Sequence, residues 1–327
     1  MDSGNTKMRV AVMGAGAVGS YFGGMLARAG GDVTLIGRPA HVDAIRRDGL
    51  FMDTTSFRER VRVGASTDPA AVADASLVLF CVKTLDTETA SSAIAPHLAP
   101  GAIVASLQNG VDNIERIRAA SGIDALPAVV FVAVALPEPG CVKHSGRGEL
   151  AIGEWNHRRG AAPPSSERCR RVADLFQSAR VPCRISEDIE ADLWGKFVLN
   201  CAGNAVSAVA QATYGEAVRE PHTREVMTRL IEETVAVGRA AGVHLPPTDF
   251  VQTGLAFLDT MINATSSTAQ DIARGKPTEV DSLNGLVVRR GAELGVPTPV
   301  NFTVNALVKL LEMKNAAQRQ QAQSGKS

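Results

Sequence analysis

The chain has 327 residues, enough for two domains that each bury an apolar core. Apolar residues make up 45% and charged residues 21%, which excludes wholesale disorder. Lysine plus arginine and aspartate plus glutamate both number 34, so no global field draws the protein to nucleic acid or to an anionic membrane.

In chain order, the opening MDSGNTK is polar and lacks the apolar core of a signal peptide. Arg9–Met13 (RVAVM) reads as a buried strand, and Ser20–Arg28 as a helix. Between them Gly14-Ala15-Gly16-Ala17-Val18-Gly19 is a G-x-G-x-x-G turn. Gly14 permits the tight turn, Gly16 leaves room for a pyrophosphate, and Gly19 lets the helix pack closely on the strand. A diphosphate would rest on the free N–H groups and positive end of that helix, which predicts a dinucleotide site.

Strand two runs from Asp32 into Gly37-Arg38. An adenine ribose without a 2′-phosphate usually meets a carboxylate at the C-terminal end of this strand. Asp32 stands at the opposite end, whereas the correct end carries Arg38, whose guanidinium can clamp a 2′-phosphate. The expected cofactor is therefore NADP(H) rather than NAD(H). The alternative is that Arg38 is a solvated loop residue.

Ser76–Val82, Ala102–Leu107 and Ala128–Leu136 are apolar runs that suit a central parallel sheet, and none is long enough to cross a bilayer. Cys141–Ser145 and Glu149–Gly153, separated by Gly146-Arg147-Gly148, predict an antiparallel pair added to the sheet. Gly160–Ser166 predicts a flexible loop, followed by a helix over Glu167–Arg180 and a strand over Val181–Ser186. The five cysteines, Cys81, Cys141, Cys169, Cys183 and Cys201, are odd in number and show no C-x-x-C spacing. They predict reduced thiols in a cytoplasmic protein, with no metal site and no disulfide framework.

Helical periodicity dominates after Glu187, over Asp188–Thr213, Arg224–Ala241, Phe250–Ala264, Glu279–Leu294 and Phe302–Asn315. The tail from Ala316 is polar and is expected to fray. The predicted fold is α/β: a Rossmann-type parallel sheet over residues 1–187 and an all-α domain over 188–327, with a ligand cleft between them. The helical half has enough apolar face for a homodimer.

Lys196, Asn200 and Asn204 recur every fourth residue, with Asp192 one turn earlier, and so share one face of a helix that is otherwise apolar. One cation and two amides in such a helix need polar partners. A satisfied hydrogen-bond network between helices would provide them, and so would the carbonyl, carboxylate and hydroxyl of a small substrate. A second polar cluster spans Ser266, Ser267, Gln270, Asp271, Glu279 and Asp281, with Glu279 expected in the first turn of a helix.

These pieces together resemble the ketopantoate reductases (2-dehydropantoate 2-reductases) over essentially the whole chain. The matching segments are GAGAVGS, the arginine after strand two, Val82–Thr84, QNGVDN at Gln108–Asn113, and Pro139–Gly146. The second half adds LWGKFVLNCAGN and SSTAQDIARGKPTEVDSLNG. The resemblance implies NADPH-dependent reduction of 2-dehydropantoate to pantoate, a step toward pantothenate and coenzyme A. Lys196 would then be the proton donor, with Asn200, Asn204 and Ser267 binding substrate. Glu279 would orient the lysine and touch the nicotinamide ribose region. Lys83 and Asn109 would line the cofactor site, Asn109 near the nicotinamide and the substrate, and Arg38 would hold the 2′-phosphate. Chemically, an ammonium stabilises negative charge growing on a ketone oxygen and then protonates it, while amides donate without adding charge. Partial burial would bring the lysine down from about 10.4 toward working pH.

The chain departs from the family pattern at Tyr214, ten residues past Asn204, where the prototype has a further substrate-contacting asparagine. That leaves three functions to weigh: reduction of 2-dehydropantoate, reduction of another 2-oxo acid or a β-hydroxyacid-type dehydrogenation, and non-catalytic NADP sensing.

Overall fold

Strand and helix alternate along the first part of the chain, and the computed structural model, which describes residues 8–155 and 166–324, joins the strands into one sheet. β1 (Arg9–Met13), α1 (Ala17–Arg28), β2 (Asp32–Ile36), α2 (Pro39–Asp48), β3 (Leu50–Asp53), β4 (Arg58–Val61) and β5 (Gly64–Ser66) come first. Then follow β6 (Leu77–Phe80), α3 (Thr87–Ile94), β7 (Ile103–Ser106), α4 (Asn113–Ser121), β8 (Leu126–Ala135), β9 (Cys141–Ile152), α5 (Glu167–Ser178) and β10 (Cys183–Ile185). The strand order is β4-β3-β9-β8-β7-β6-β1-β2-β5, with β10 also paired to β9. From β5 through β8 the pairing is parallel; β8 with β9 and β3 with β4 are antiparallel.

Alternation along the central strands explains why they are apolar throughout. Val10, Val12, Leu77, Leu79, Ile103 and Ala105 enter one apolar cluster, while Ala11, Val78, Phe80 and Val104 enter another on the opposite face. The first cluster takes Tyr21, Phe22, Met25 and Leu26 of α1 and Phe176 of α5; Phe22 meets Phe176 edge to face at 5.8 Å.

Cys141–Ile152 is one strand, not the expected antiparallel pair. It runs along β8 with register shifts between Phe131 and Val132 and between Ala133 and Val134. Gly146-Arg147-Gly148 is therefore a bulged stretch rather than a turn, and positive φ at Arg147 and Gly148 is absorbed inside the ladder. β3, β4 and β5 are only three or four residues long, too short for an alternating pattern to announce them in the sequence. The expected loop Gly160–Ser166 lies outside the described residues except for Ser166, which caps α5 by accepting the Cys169 N–H. MDSGNTK also lies outside them.

The chain divides into two compact units between Ile189 and Glu190. The second consists of α6 (Ile189–Ala210), α7 (Tyr214–Arg219), α8 (Pro221–Ala240), α9 (Phe250–Thr260), α10 (Ser267–Ala273), α11 (Asn284–Leu294) and α12 (Pro299–Ser324). The tail expected to fray is helical as far as Ser324. Glu279 does not begin a helix: it precedes a 3-10 turn at Val280–Ser282, and α11 starts only at Asn284. Among the described residues no helix is long and apolar enough to cross a membrane.

A buried polar chain ties four of these helices together. The Glu233 carboxylate of α8 accepts the backbone N–H groups of Val300 and Asn301, both at 2.9 Å, and the Asn301 side chain at 2.8 Å, which closes the open start of α12. Asn301 Oδ1 accepts from Asn284 of α11, whose amide also donates to the Cys201 carbonyl of α6, each at 2.9 Å. The helix that carries Lys196 and both asparagines is thus anchored in mid-length.

Candidate functional site

The register of the parallel strands brings the predicted cofactor residues to one edge of the sheet. Met13 is level with Ile36 and Phe80, and Phe80 with Ser106. Gly14, Arg38, Lys83 and Asn109 all follow those positions, so they leave the sheet on the side where the carboxyl ends of the strands lie.

Three glycines shape the loop in three ways. Gly14 has φ +104°, and a Cβ there would sit 2.6 Å from the Val82 nitrogen. A Cβ on Gly19 would sit 2.3 Å from the Gly14 carbonyl oxygen, so only glycine lets α1 start this close to β1. Around Gly16 a Cβ would meet nothing within 4 Å, which leaves open space above the turn. The amides of Gly14 and Ala15 are already used, both donating to the Ile36 carbonyl at 3.0 and 2.8 Å. Those of Ala17, Val18 and Gly19 form the first turn of α1, which no side chain caps. An anionic group above Gly16 therefore finds room, free donors and the positive helix end together.

Asp32 occupies the first position of β2, as expected, and pairs with Arg9 at 3.1 Å. Arg38 stands just past the other end of β2 as the exposed N-cap of α2, and among the described residues nothing holds its guanidinium. At the ends of β6 and β7, Lys83 is exposed and Asn109 half-buried. The Asn109 carbonyl accepts from the Thr84 hydroxyl at 3.2 Å and the Asn113 amide at 2.7 Å. Behind it Gln108 donates to Thr87 at 2.8 Å and accepts from Ser106 at 3.0 Å. This buried polar group fixes the turn that carries Asn109. Its signal in the sequence was a serine and a glutamine ending an apolar strand.

In the second unit, Lys196, Asn200 and Asn204 all lie on α6; the first two are half-buried and Asn204 is 4% exposed. Asn204 Oδ1 accepts the Tyr214 hydroxyl at 2.8 Å, so part of the row is satisfied from inside the helical unit. The Asn204 carbonyl accepts the Ser266 hydroxyl at 3.1 Å, and Ser266 in turn caps α10 at the Ala269 N–H. Ser267, next in the chain, is exposed, and Glu279 is half-buried. Ser267 is thus brought beside the Asn204 segment through Ser266, while Glu279 belongs to the segment that Asn284 fastens to α6.

Tyr214 and Ser266 stand out in the sequence, but their bonds to Asn204 do not. Tyr214 opens α7, whose start is a reciprocal capping box between Thr213 and Glu216. That T-x-x-E spacing was legible and predicts a helix start at Tyr214. Burial raises the Tyr214 pKa well above its usual value, so its hydroxyl stays protonated and remains a donor.

A mixed, mostly parallel sheet with a glycine-rich loop opening onto a helix end, followed by a helical unit, defines a protein built on a Rossmann-type architecture. The family model described as ketopantoate reductase PanE/ApbA matches residues 10–157, and its C-terminal counterpart matches residues 188–312. A 2-dehydropantoate 2-reductase of Halobacterium salinarum is 35% identical over 308 residues, covering 93% of this chain and 99% of that protein. The crystal structure of a PanE/ApbA family ketopantoate reductase from Ralstonia eutropha JMP134 superposes with a TM-score of 0.88 at 48% identity, covering 94% of this chain and 100% of that one. D-Mandelate dehydrogenase, solved with NADH and anilino(oxo)acetate, shares the fold at a TM-score of 0.85 and 22% identity, covering 94% of this chain and 100% of that one. The chain belongs to the ketopantoate reductase PanE/ApbA family and is an oxidoreductase of that family.

Proposed function

We propose that this protein reduces 2-dehydropantoate to pantoate with NADPH. The observation that carries this reading is the row on α6: a lysine and two asparagines along an otherwise apolar helix, with Asn204 almost wholly buried. The 35% identity to a 2-dehydropantoate 2-reductase over 93% of the chain supports it.

The loop fits a dinucleotide, because open space over Gly16 lies beside the uncapped start of α1. Gly14 to Gly19 would hold the diphosphate, Arg38 the 2′-phosphate, and Lys83 and Asn109 the rest of the cofactor. NADPH, when bound, supplies the hydride. The Lys196 ammonium stabilises negative charge on the ketone oxygen and then gives it a proton, leaving a neutral amine and a hydroxyl. Glu279 orients that lysine by offering its carboxylate as an acceptor. Asn200, Asn204 and Ser267 hold the acid by hydrogen bonds, and the uncharged amides do so without competing for the proton.

Tyr214 favours a second reading, in which the substrate is a different 2-oxo acid, because its ring fills space beside Asn204. Steady-state kinetics on a panel of 2-oxo acids with NADPH and NADH separates the two. The first reading requires 2-dehydropantoate with NADPH to give the highest kcat/KM. A higher value for another oxo acid establishes the second, and no oxidation with any of them overturns both.

A further inference from the structure

We propose that Tyr214 is a positioning residue that fixes Asn204 as a hydrogen-bond donor to the substrate and so helps set which 2-oxo acid is accepted; this rests on the reading of the α6 row given above. A carboxamide has an accepting and a donating side of nearly equal size, and a free asparagine can present either. Here the choice is made inside the protein. The Tyr214 hydroxyl donates to Oδ1 at 2.8 Å and occupies the accepting side. The backbone of Asn204 is held as well, since the Ser266 hydroxyl donates to its carbonyl at 3.1 Å.

What remains is Nδ2. Among the described residues it has no hydrogen-bond partner, on a side chain 4% exposed, yet it is not sealed from solvent. A nearly buried N–H donor left open in this way is complementary to an acceptor oxygen, such as a carboxylate or carbonyl oxygen of a 2-oxo acid. Asn204 can therefore reward an acid substrate, and without Tyr214 the flipped amide, which presents its oxygen instead, competes with that arrangement.

The tyrosine is itself held in place. Its backbone N–H donates to the Ala264 carbonyl at 2.9 Å, and the Thr213–Glu216 capping box fixes the first turn of α7. The ring lies against Gly203, the residue before Asn204: a Cβ there would be 2.7 Å from Tyr214 Cε1 and 3.0 Å from Cδ1. Glycine at 203 is thus the space in which the ring sits. Gly203 and Tyr214 act as a pair, and either one can be changed to disturb the amide without touching Asn204.

The test is steady-state kinetics with the preferred 2-oxo acid of the wild-type protein, on Asn204→Ala, Tyr214→Phe, Gly203→Ala and Asn204→Ala/Tyr214→Phe, with thermal unfolding of each. Tyr214→Phe is expected to raise KM for the acid by about three- to tenfold, the worth of one neutral hydrogen bond, with little change in kcat or in KM for NADPH. Gly203→Ala keeps the hydroxyl but displaces the ring, and raises KM in the same direction; it carries the test alone if Tyr214→Phe does not fold. In the Asn204→Ala background the tyrosine change adds nothing further. A folded Tyr214→Phe or Gly203→Ala with wild-type KM, beside an Asn204→Ala whose KM has risen, overturns the role of Tyr214 alone. If the wild type turns over no 2-oxo acid, or Asn204→Ala leaves KM unmoved, the reading of the row falls and this role falls with it.

Discussion

The Gly140 N–H donates to Nδ1 of His41 across 2.9 Å, joining residues 99 apart in the chain. With Nδ1 accepting, the ring proton sits on Nε2, which faces the Ser20 hydroxyl at 3.0 Å. His41 therefore bridges α1, just past the glycine-rich loop, to the turn between β8 and β9. Burial holds its pKa below 6.5, because the charged imidazolium would lose solvent and could no longer accept the Gly140 N–H.

The sign of the pH effect follows. As pH falls through 6.5 the unfolded chain takes up the proton first, so stability present above that pH is progressively lost until the folded-state pKa is reached. Urea unfolding at about pH 7.5 and about pH 5 should show a drop in the wild type and a smaller one in His41→Asn, which cannot take up the proton. An equal drop in both would place the acid sensitivity elsewhere.

Gly16 and Gly19 separate cofactor binding from folding. Gly19→Ala forces a methyl to within 2.3 Å of the Gly14 carbonyl oxygen, so it should lower thermal stability markedly. Gly16 has φ −78° and nothing within 4 Å of its missing Cβ, so Gly16→Ala should fold as the wild type does. Its methyl would instead stand in the space assigned to the diphosphate, and NADPH should bind at least about tenfold more weakly, worth about 1.4 kcal/mol. Thermal unfolding and NADPH fluorescence titration check the pair. Unchanged affinity in Gly16→Ala removes the diphosphate from that place.

Arg38→Ala tests which nucleotide the end of β2 is made for. The guanidinium is exposed and has no partner among the described residues, so its removal should leave stability within about 0.5 kcal/mol of the wild type. Losing a bidentate phosphate contact should weaken NADPH by about tenfold or more while NADH changes little. Parallel losses for the two cofactors would show that Arg38 does not meet a 2′-phosphate.

The central strands were legible as short continuous apolar runs, the turn by its glycine spacing, and the helical second half by its period. The apolar runs at β1, β6 and β7 alternate between two buried faces, and the α6 row falls every fourth residue. The misread stretch, Gly146-Arg147-Gly148, failed for a local reason: glycines mark turns and bulges alike, and the pairing of a ten-residue β8 decides between them. The tyrosine that meets Asn204 was visible as a departure from the family pattern. Its bond to Oδ1 was not, since it depends on the missing side chain at Gly203 and on a break after α6, where Gln211 takes φ +51°.

Lys196 is the residue whose removal should cost most in rate. It lies half-buried on α6, on the face that also carries Asn200 and Asn204, and the Asn284 bond to the Cys201 carbonyl steadies the helix beyond it. On the proposed mechanism Lys196→Ala removes both the charge that stabilises the forming alkoxide and the proton that quenches it, so kcat should fall by at least about a hundredfold. NADPH affinity should stay near wild type, because the lysine is assigned to the oxo acid. Lys196→Arg keeps the charge but holds its proton far more tightly, and should recover substrate binding without recovering turnover. Near-normal kcat in Lys196→Ala would transfer the proton to another donor, and Glu279→Gln would then be the variant to assay.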